Sequence, residues 1–225
     1  MANDPRDVLL AGARALGLSL TDAQVDLLLA YMAWLHKWNK VYNLTALRHP
    51  DEMLSHHLMD SLTAVAPLQR HLSAWRAAGA KAADAPVTVL DVGSGGGLPG
   101  VVLAICLPDV RVTCVDTVNK KAAFIQQVAA SLRLPNLKGL HARVETVKGG
   151  FDVVTSRAFA SLVDFTTWSR SALQPGGVWM AMKGKHPEAE LAALGSTVDV
   201  FHVEPLQVPG LDAERCMVWM RPVAA

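Results

Sequence analysis

A glycine-rich segment in the middle of the chain constrains the fold more than any other feature. Residues 87–90 are β-branched or apolar and lead into residues 91–100, which read DVGSGGGLPG. Glycines permit positive φ angles and let the backbone approach a ligand closely, and proline suits the first turn of a helix. Free amide groups at the start of that helix would favour ligand oxygens. The segment therefore predicts a buried strand, a ligand-binding loop and a helix.

Around this loop, short β-branched runs alternate with helical segments, a pattern typical of a parallel sheet covered on both faces. The last two strands are joined by a loop alone, so we expect them to pair antiparallel at an edge of the sheet. The seven predicted strands are residues 87–92, 111–115, 137–141, 151–156, 178–182, 198–203 and 216–220. Helices are predicted near residues 99–107, 119–132 and 162–173.

The first third of the chain has helical periodicity instead. Thr21 and Gln24 form a capping-box pattern ahead of apolar residues at helical spacing, and Pro50 opens a second predicted helix. Residues 74–86 are rich in alanine and glycine and predict a junction. We therefore expect an N-terminal helical cap over residues 1–80 and an α/β domain over residues 81–225.

Composition limits the class of protein. The chain has 225 residues, of which 51% are hydrophobic, so it can bury a large core. A net charge of +1 neither predicts nor excludes a nucleic-acid partner. Three widely spaced cysteines, Cys106, Cys114 and Cys216, form no disulfide or metal-binding pattern. With no signal-peptide pattern and no apolar stretch of about 18 residues, we expect a cytoplasmic protein without membrane span or metal, and a monomer by default.

An acidic residue, Asp116, ends the second predicted strand. A carboxylate at this point can accept both hydroxyls of a ribose, which predicts a ligand that contains adenosine. Residues 95–100 read GGGLPG and fit the G-x-G-x-x-G pattern of dinucleotide sites. Residues 91–97 also fit a second pattern, an acidic residue followed by G-x-G-x-G. This pattern suits S-adenosylmethionine (SAM), which has no pyrophosphate for the loop to bind. These residues alone do not decide whether the ligand is NAD or SAM.

Three later features favour SAM. Residues 151–154 read FDVV, like the fourth strand of class I methyltransferases, and residues 173–177 read LQPGG, which resembles their turn before the fifth strand. The antiparallel terminal pair resembles their sheet edge. We therefore expect an α/β fold of the class I SAM-dependent methyltransferase type, with a Rossmann-like, mostly parallel seven-stranded sheet, an antiparallel terminal strand and an N-terminal helical extension. A nucleotide-dependent oxidoreductase and an RNA-binding module with a non-catalytic SAM site remain alternatives.

Motifs outside the loop resemble one family. Residues 38–45 read WNKVYNLT and residues 57–62 read HLMDSL, and together with the loop they resemble the RsmG (GidB) methyltransferases. Shorter matches occur at residues 143–145, 156–159 and 183–184. The resemblance covers residues 20–218 and implies a bacterial enzyme that methylates N7 of a guanine, guanine 527, in 16S ribosomal RNA. Its substrate would be that RNA or a small ribosomal subunit particle.

The resemblance also implies site residues. It places Gly93 and Leu98 at the SAM site, Val144 and Glu145 beside the adenine, and Arg157 beside cofactor and substrate. The expected cofactor-binding set is Asp91, Gly93, Gly95, Leu98, Asp116, Val144, Glu145 and Arg157. The expected catalytic set at the guanine pocket is Asn43, His57, Asp60, Arg157 and Lys183. Asn43 could instead simply end a helix, and His57 and Asp60 could form a local pair on one helical face.

The implied reaction needs little acid–base chemistry. Guanine N7 has an in-plane lone pair and no proton, so methylation is a direct displacement without a general base, and alignment of the reactants is the main requirement. Basic residues near the cap and after the strands predict a rim that binds RNA phosphates. They are His36, Lys37, Lys40, Arg48, His49, Lys120, Lys121, Arg143, Arg157 and Lys183.

Overall fold

The computed structural model describes residues 4–79, 81–82 and 84–223. Helices occupy its first third, and a π-helical turn, Leu54–Met59, interrupts the third of them. The predicted capping box at the start of the second helix is confirmed, because Thr21 and Gln24 make both reciprocal hydrogen bonds. These helices are α1 (Pro5–Ala15), α2 (Asp22–Tyr42), α3 (Pro50–Met53), α4 (Asp60–Leu62) and α5 (Val65–Ala77).

A seven-stranded sheet follows, with strand order β3-β2-β1-β4-β5-β7-β6. The first five strands run parallel, whereas β7 lies antiparallel between β5 and β6. The strands are β1 (Val87–Val92), β2 (Val110–Asp116), β3 (Leu137–His141), β4 (Phe151–Arg157), β5 (Leu173–Lys183), β6 (Val198–Leu206) and β7 (Arg215–Pro222). Between them lie α6 (Gly100–Cys106), α7 (Asn119–Ser131), α8 (Leu162–Ser169) and α9 (Glu188–Ala192). The predicted fold class is confirmed.

Some predicted boundaries were wrong. The helix predicted over residues 162–173 ends at Ser169, and after a single 3₁₀ turn Leu173 already begins β5. Part of the predicted junction over residues 74–86 is helical, since α5 continues to Ala77. The helix expected from Pro50 contains the π-helical turn and stops at Leu62 before α5 begins.

The apolar core lies on both faces of the sheet. On one face, a single cluster joins the N-terminal helices to α6 and α7, and includes Leu28, Tyr31 and Phe124. On the other face, α8 packs through Phe165 against a second cluster that contains Trp179. The core is therefore continuous between the helices before β1 and the sheet, while the domain boundary at residue 80 stays a prediction.

A buried ion pair ties the segment after α5 to the sheet. Lys81 Nζ lies 2.6 Å from Oδ1 of Asp152, and the backbone amide of Thr88 donates to Oδ2 at 2.7 Å. Gln174 also donates to this carboxylate. Asp152 is fully buried, so these donors compensate for the hydration that its charge loses.

Within the described ranges, no helix is long and apolar enough to cross a membrane. In the same part of the chain, His, Cys, Asp and Glu side chains form no group of three or more that could hold a metal ion. All three cysteines are free and buried.

Candidate cofactor and substrate site

The glycine-rich loop connects β1 to α6 with three glycines at positive φ. Gly93, Gly95 and Gly97 have φ angles of 64°, 57° and 91°. A side chain at Gly93 would overlap the ring of Phe159, so this position requires glycine for space as well as for conformation. The amide of Gly93 donates to the carbonyl of Val115 at 2.9 Å, which fixes the loop to the end of β2.

Asp91 is fully buried near the end of β1. Its Oδ2 accepts a hydrogen bond from the amide of Gly100 at 2.8 Å, so the carboxyl group braces the start of α6. Burial raises the pKa of Asp91 to about 7, because the charged form loses its hydration. No described residue offers a hydrogen-bond partner to Oδ1. The buried Asp91 therefore stabilises the junction between the glycine-rich loop and α6.

Asp116, the last residue of β2, joins the loop to the helix that follows. Its Oδ2 accepts a hydrogen bond from the amide of Gly95 at 3.0 Å, and its Oδ1 accepts one from the amide of Val118 at 2.8 Å. Lys121 places Nζ 3.7 Å from Oδ2. Because each carboxylate oxygen has two lone pairs, Asp116 keeps acceptor capacity for the hydroxyls of a ligand.

An open cavity of about 320 Å³ lies at the carboxyl ends of β1 to β4. Gly93, Asp116, Val144 and Glu145, all of them predicted cofactor residues, line this cavity. The cavity wall also contains two aromatic rings, those of Phe159 and Trp168, which meet edge to face with centroids 6.0 Å apart. The cavity thus combines a carboxylate, a glycine backbone and flat apolar surfaces.

The remaining predicted cofactor residues, Asp91, Gly95, Leu98 and Arg157, do not line the cavity. Leu98 is buried within the loop. A side chain built on Gly95 would lie 3.8 Å from the carbonyl oxygen of Leu44, so this glycine faces the segment after α2. Arg157 is directed toward the N-terminal helices by the hydrogen bonds described below. The roles of these residues in cofactor binding stay predictions.

Several residues of the cavity wall are absent from the predicted site, among them Phe159, Lys121 and Trp168. Phe159 lies within the motif at residues 156–159, so the sequence contained a signal for it. Lys121 had been assigned only to the phosphate-binding rim. Trp168 carries no local signal, because its ring reaches the cavity only through the packing of α8 on the sheet.

A second group of predicted residues forms a hydrogen-bonded network between α4 and the sheet. Oδ2 of Asp60 accepts from Nη1 of Arg157 at 2.7 Å, and Oδ1 accepts from Nε of Arg215 at 2.9 Å. Arg157 also approaches Nδ1 of His57 with Nη2 at 3.4 Å. His57 and Asp60 are thus both bonded to Arg157, and Thr45 completes the group through His57. We call these five residues the Asp60 network.

His57 is a neutral member of this network. Its Nε2 is hydrogen-bonded to Oγ1 of Thr45. Burial, and after it the positive charge of Arg157, lower the pKa of His57 to about 4. The ring is therefore uncharged at neutral pH and serves to join the π-helical turn to the segment after α2.

Asn43 ends α2 in the left-handed conformation, with φ 49° and ψ 56°. This conformation agrees with a helix-terminating role, and the side chain is exposed. The turn that follows is held by the buried Asn39, whose amide group donates to the carbonyl of Leu47 at 2.7 Å and whose Oδ1 accepts from the amide of Thr45 at 2.8 Å. Asn39 lies in the WNKVYNLT motif but had no predicted role.

Lys183, at the end of β5, lies apart from the Asp60 network. Its Nζ is 2.8 Å from Oε1 of Glu190 in α9 and donates to the carbonyl of Ala160 at 3.2 Å. Glu190 also accepts a hydrogen bond from the amide of Leu162 at 2.7 Å. Lys183 therefore connects β5 to α9 and to the segment before α8, and its predicted catalytic role remains untested.

The geometry agrees with a family comparison. The family model GidB, described as rRNA small subunit methyltransferase G, matches residues 24–218. This chain belongs to that family. Three relatives are each named ribosomal RNA small subunit methyltransferase G. The protein from Acidovorax ebreus is 66% identical over 213 residues, which cover 95% of this chain and 93% of that protein. Those from Polaromonas naphthalenivorans and Leptothrix cholodnii are 61% and 59% identical, over 97% and 96% of this chain and 96% and 95% of the relative.

Solved structures support the fold of this GidB family member. A SAM-dependent methyltransferase from Aquifex aeolicus superposes with a TM-score of 0.50 at 16% identity, over 61% of this chain and 82% of that one. A 16S rRNA (adenine(1408)-N(1))-methyltransferase mutant from Catenulisporales acidiphilia superposes with a TM-score of 0.50 at 20% identity, over 68% of this chain and 91% of that one. At these identities the similarity concerns the fold alone.

Family membership resolves the choice that the loop left open. The GidB family member is a SAM-dependent methyltransferase, so the G-x-G-x-x-G pattern at residues 95–100 does not mark an oxidoreductase. The predicted family resemblance and cofactor are confirmed.

Proposed function

We propose that this chain transfers the methyl group of SAM to N7 of a guanine in 16S ribosomal RNA, presented on a small ribosomal subunit particle. Its membership in the rRNA small subunit methyltransferase G family supports this class of reaction and substrate. The observation that carries the proposal is the cavity where the backbone of Gly93 and the carboxylate of Asp116 meet at the ends of β1 and β2. Ligands of open α/β sheets bind at this edge.

The residues of the cavity fit SAM. Asp116 would accept hydrogen bonds from the ribose hydroxyls, and the turn containing Val144 and Glu145 would border the adenine. Phe159 and Trp168 offer flat apolar surfaces. At Gly93, the absence of a Cβ leaves room for the ring of Phe159 to pack against the end of β1 in the cavity wall. When bound, the cofactor supplies an electrophilic methyl group on a sulfonium.

The protein's task in this reaction is alignment. N7 presents a lone pair and no proton, so none of the site residues has to remove one. The lowered pKa of His57, about 4, agrees with this assignment, because a buried neutral ring bonded on both sides is poorly placed to move a proton. Holding two reactants in line can lower a barrier by roughly 7–11 kcal/mol.

The guanine would approach from the side of the N-terminal helices. Asn43 is exposed at the end of α2, next to a segment whose Leu44 carbonyl faces Gly95 of the cofactor loop. We assign Asn43 to the rim that faces the base. Arg157 would lie between the two sites, since it directly precedes Ala158 and Phe159 in the cavity wall. Asp60, His57 and Lys183 would act by holding these elements in place.

Four exposed cations lie near the end of α2 and the start of α7. Lys37 and Lys40 lie on the last turns of α2, Arg48 lies on the segment after it, and Lys120 is in the first turn of α7. None of these four is within 4.0 Å of a carboxylate oxygen in the described part of the chain. They would bind RNA phosphates, so binding should weaken steeply with salt. We place the reaction in the cytoplasm, where ribosomal subunits assemble, and propose a monomeric enzyme.

The direct test is product mapping. The protein is incubated with methyl-labelled SAM and with small ribosomal subunit particles that lack the modification. We expect one labelled nucleotide in 16S ribosomal RNA, a guanine methylated at N7. Label at another base, or on a ribosomal protein, would contradict the proposal, and label on free 16S RNA alone would correct its choice of the particle as substrate.

A matched pair of glycine variants tests the cofactor site. Gly93 and Gly79 have similar positive φ angles, 64° and 70°, but only at Gly93 does a Cβ meet another residue. Gly93→Ala should weaken the binding of S-adenosylhomocysteine, measured by calorimetry, by about tenfold or more, or about 1.4 kcal/mol. Gly79→Ala carries the same backbone strain and should bind normally. Equal affinity of the two variants would remove Gly93 from the site.

A further inference from the structure

The Asp60 network contains a residue that the sequence motifs did not indicate. Asp60 is only 3% exposed, and each of its carboxylate oxygens accepts a hydrogen bond from a different arginine. Arg157 comes from the end of β4 and Arg215 from the first position of β7. Charge-assisted hydrogen bonds of this kind are the stronger ones in proteins. Three separate elements, α4, β4 and β7, are therefore held at one buried carboxylate.

The network continues from Arg157 toward the π-helical turn and the segment after α2. Nη1 of Arg157 also donates to the carbonyl of His56 at 3.0 Å, within the π-helical turn. Its Nη2 lies against His57, and His57 is bonded in turn to Thr45. Thr45 Oγ1 accepts the amide of Leu47 at 3.3 Å. The turn after α2, which Asn39 holds from the helix side, is thus also connected to the Arg157 guanidinium through His57.

We infer that Arg215 is a positioning residue for methyl transfer: by occupying one oxygen of Asp60, it holds Arg157 in contact with the π-helical turn and thereby fixes residues 43–47 over the cofactor loop. This inference rests on the proposed function. Arg215 does not line the cofactor cavity, so it acts through Asp60 and Arg157 only.

The physical reason lies in the geometry of arginine–carboxylate pairs. Without Arg215, Oδ1 of Asp60 loses its donor. The guanidinium of Arg157 can then turn to bind both oxygens, since two parallel hydrogen bonds are a preferred arrangement of this pair. That movement withdraws Arg157 from the carbonyl of His56 and from the ring of His57. The turn after α2 loses its connection to the sheet.

The test compares two arginines on the same strand. Arg221 also lies on β7 and pairs with Asp199 at 2.8 Å, but this ion pair is exposed and distant from the network. Well below the unfolding temperature, Arg215→Ala should lower kcat on small-subunit particles by about tenfold or more. KM for SAM should stay within about twofold, because Arg215 does not line the cavity. Arg221→Ala should leave both constants unchanged.

A lysine variant of Arg215 tests whether a positive charge at this position is sufficient without the shape of the guanidinium group. Arg215→Lys keeps a cation that can replace the single hydrogen bond from Nε, so it should restore kcat to within about threefold of the natural protein. If Arg215→Ala keeps kcat within about twofold, or if Arg221→Ala loses as much activity, Arg215 has no positioning role beyond the stability of the hairpin.

Hydrogen exchange provides a readout that needs no activity. The amides of Thr45 and Leu47 donate to Asn39 Oδ1 and Thr45 Oγ1. Arg215→Ala should accelerate exchange across residues 43–49 in the absence of RNA, whereas Arg221→Ala should not. Unchanged exchange in Arg215→Ala would overturn the inference. A natural protein that fails to methylate the particles would instead contradict the proposed function, and the exchange comparison would still decide the role of Arg215.

Discussion

His57 illustrates how surroundings determine the chemistry of a single residue. Burial and the adjacent Arg157 lower its pKa to about 4, although the carboxylate of Asp60 acts in the opposite direction. Its ring bonds Thr45 on one side and faces Arg157 on the other. The protonated form would meet a fixed cation in a poorly hydrated place, so the folded protein disfavours it.

This lowered pKa predicts a loss of stability in acid. Between about pH 6.5 and pH 4 the unfolded chain binds a proton at His57 and the folded protein does not, so the free energy of unfolding falls as the pH falls. The contribution amounts to at most about 3 kcal/mol. Urea unfolding at several pH values measures it, and His57→Gln should remove this part of the pH dependence. An imidazole resonance of His57 that titrates near pH 6.5 would contradict the prediction.

The site at this scale was only partly predictable. Gly93 and Asp116 were identified because a glycine loop and an acid at a strand end have a direct chemical meaning, and both line the cavity. Arg215 was not, because its hydrogen bond to Asp60 joins positions far apart in the chain and leaves no pattern in the sequence. Asn39 lies in the WNKVYNLT motif, but the motif does not reveal that its side chain holds the turn at Thr45 and Leu47. The roles assigned to Asn43 and Lys183 remain predictions.

At the scale of elements, the strands were the most predictable part. β1 and β4 are runs of β-branched and apolar residues, buried on both faces, and such runs are distinctive in a parallel sheet. The helix predicted over residues 162–173 was too long, because Ser169 donates back to the carbonyl of Phe165 at the point where the chain turns toward β5. The π-helical turn at Leu54–Met59 has no signal in the local sequence, and in the structure Arg157 and Thr45 hydrogen-bond to it.

The segment between α5 and β1 should depend on its ion pair with β4. Lys81→Met keeps the aliphatic stem but leaves the buried Asp152 with Thr88 and Gln174 as its remaining donors. We expect the free energy of unfolding to fall by about 1–3 kcal/mol, as for a buried charge that loses one partner. Urea denaturation measures this change.

The matched control is Arg6→Met. Arg6 also pairs with acids, Asp22 and Asp26, but both carboxylates are largely exposed. Exposed pairs contribute roughly 0–1 kcal/mol, so this variant should differ little from the natural protein. If both variants lose the same stability, the Lys81 pair does not behave as a buried one.

At the scale of the whole molecule, the N-terminal helices and the sheet share one core. Tyr31 is fully buried and donates its hydroxyl hydrogen bond to the carbonyl of Gly96 at 2.7 Å, within the cofactor loop. Trp38 packs against Phe124 of α7 with ring centroids 5.4 Å apart. The N-terminal helices therefore contact the cofactor loop directly and also cover one face of the sheet.

This shared core predicts that the α/β part does not fold alone. A fragment of residues 81–225 would expose the apolar surfaces of α6 and α7 to water, at a cost of roughly 25 cal/mol for each Å². We expect it to lack a cooperative unfolding transition by circular dichroism. The full chain, cleaved at a protease site introduced near residue 79, should keep that transition. A fragment that unfolds cooperatively would support an independent domain.

The crowding around the cofactor loop has a consequence for engineering. A methyl group would overlap neighbouring side chains at Gly93, Gly97 and Gly100. Stepwise mutagenesis of the loop is therefore a poor route to accepting synthetic donors with bulkier transferable groups. Trp168 is 40% exposed in the cavity wall, and its side chain does not lie against the Cβ position of any of these glycines. Libraries that widen the pocket should begin at this residue.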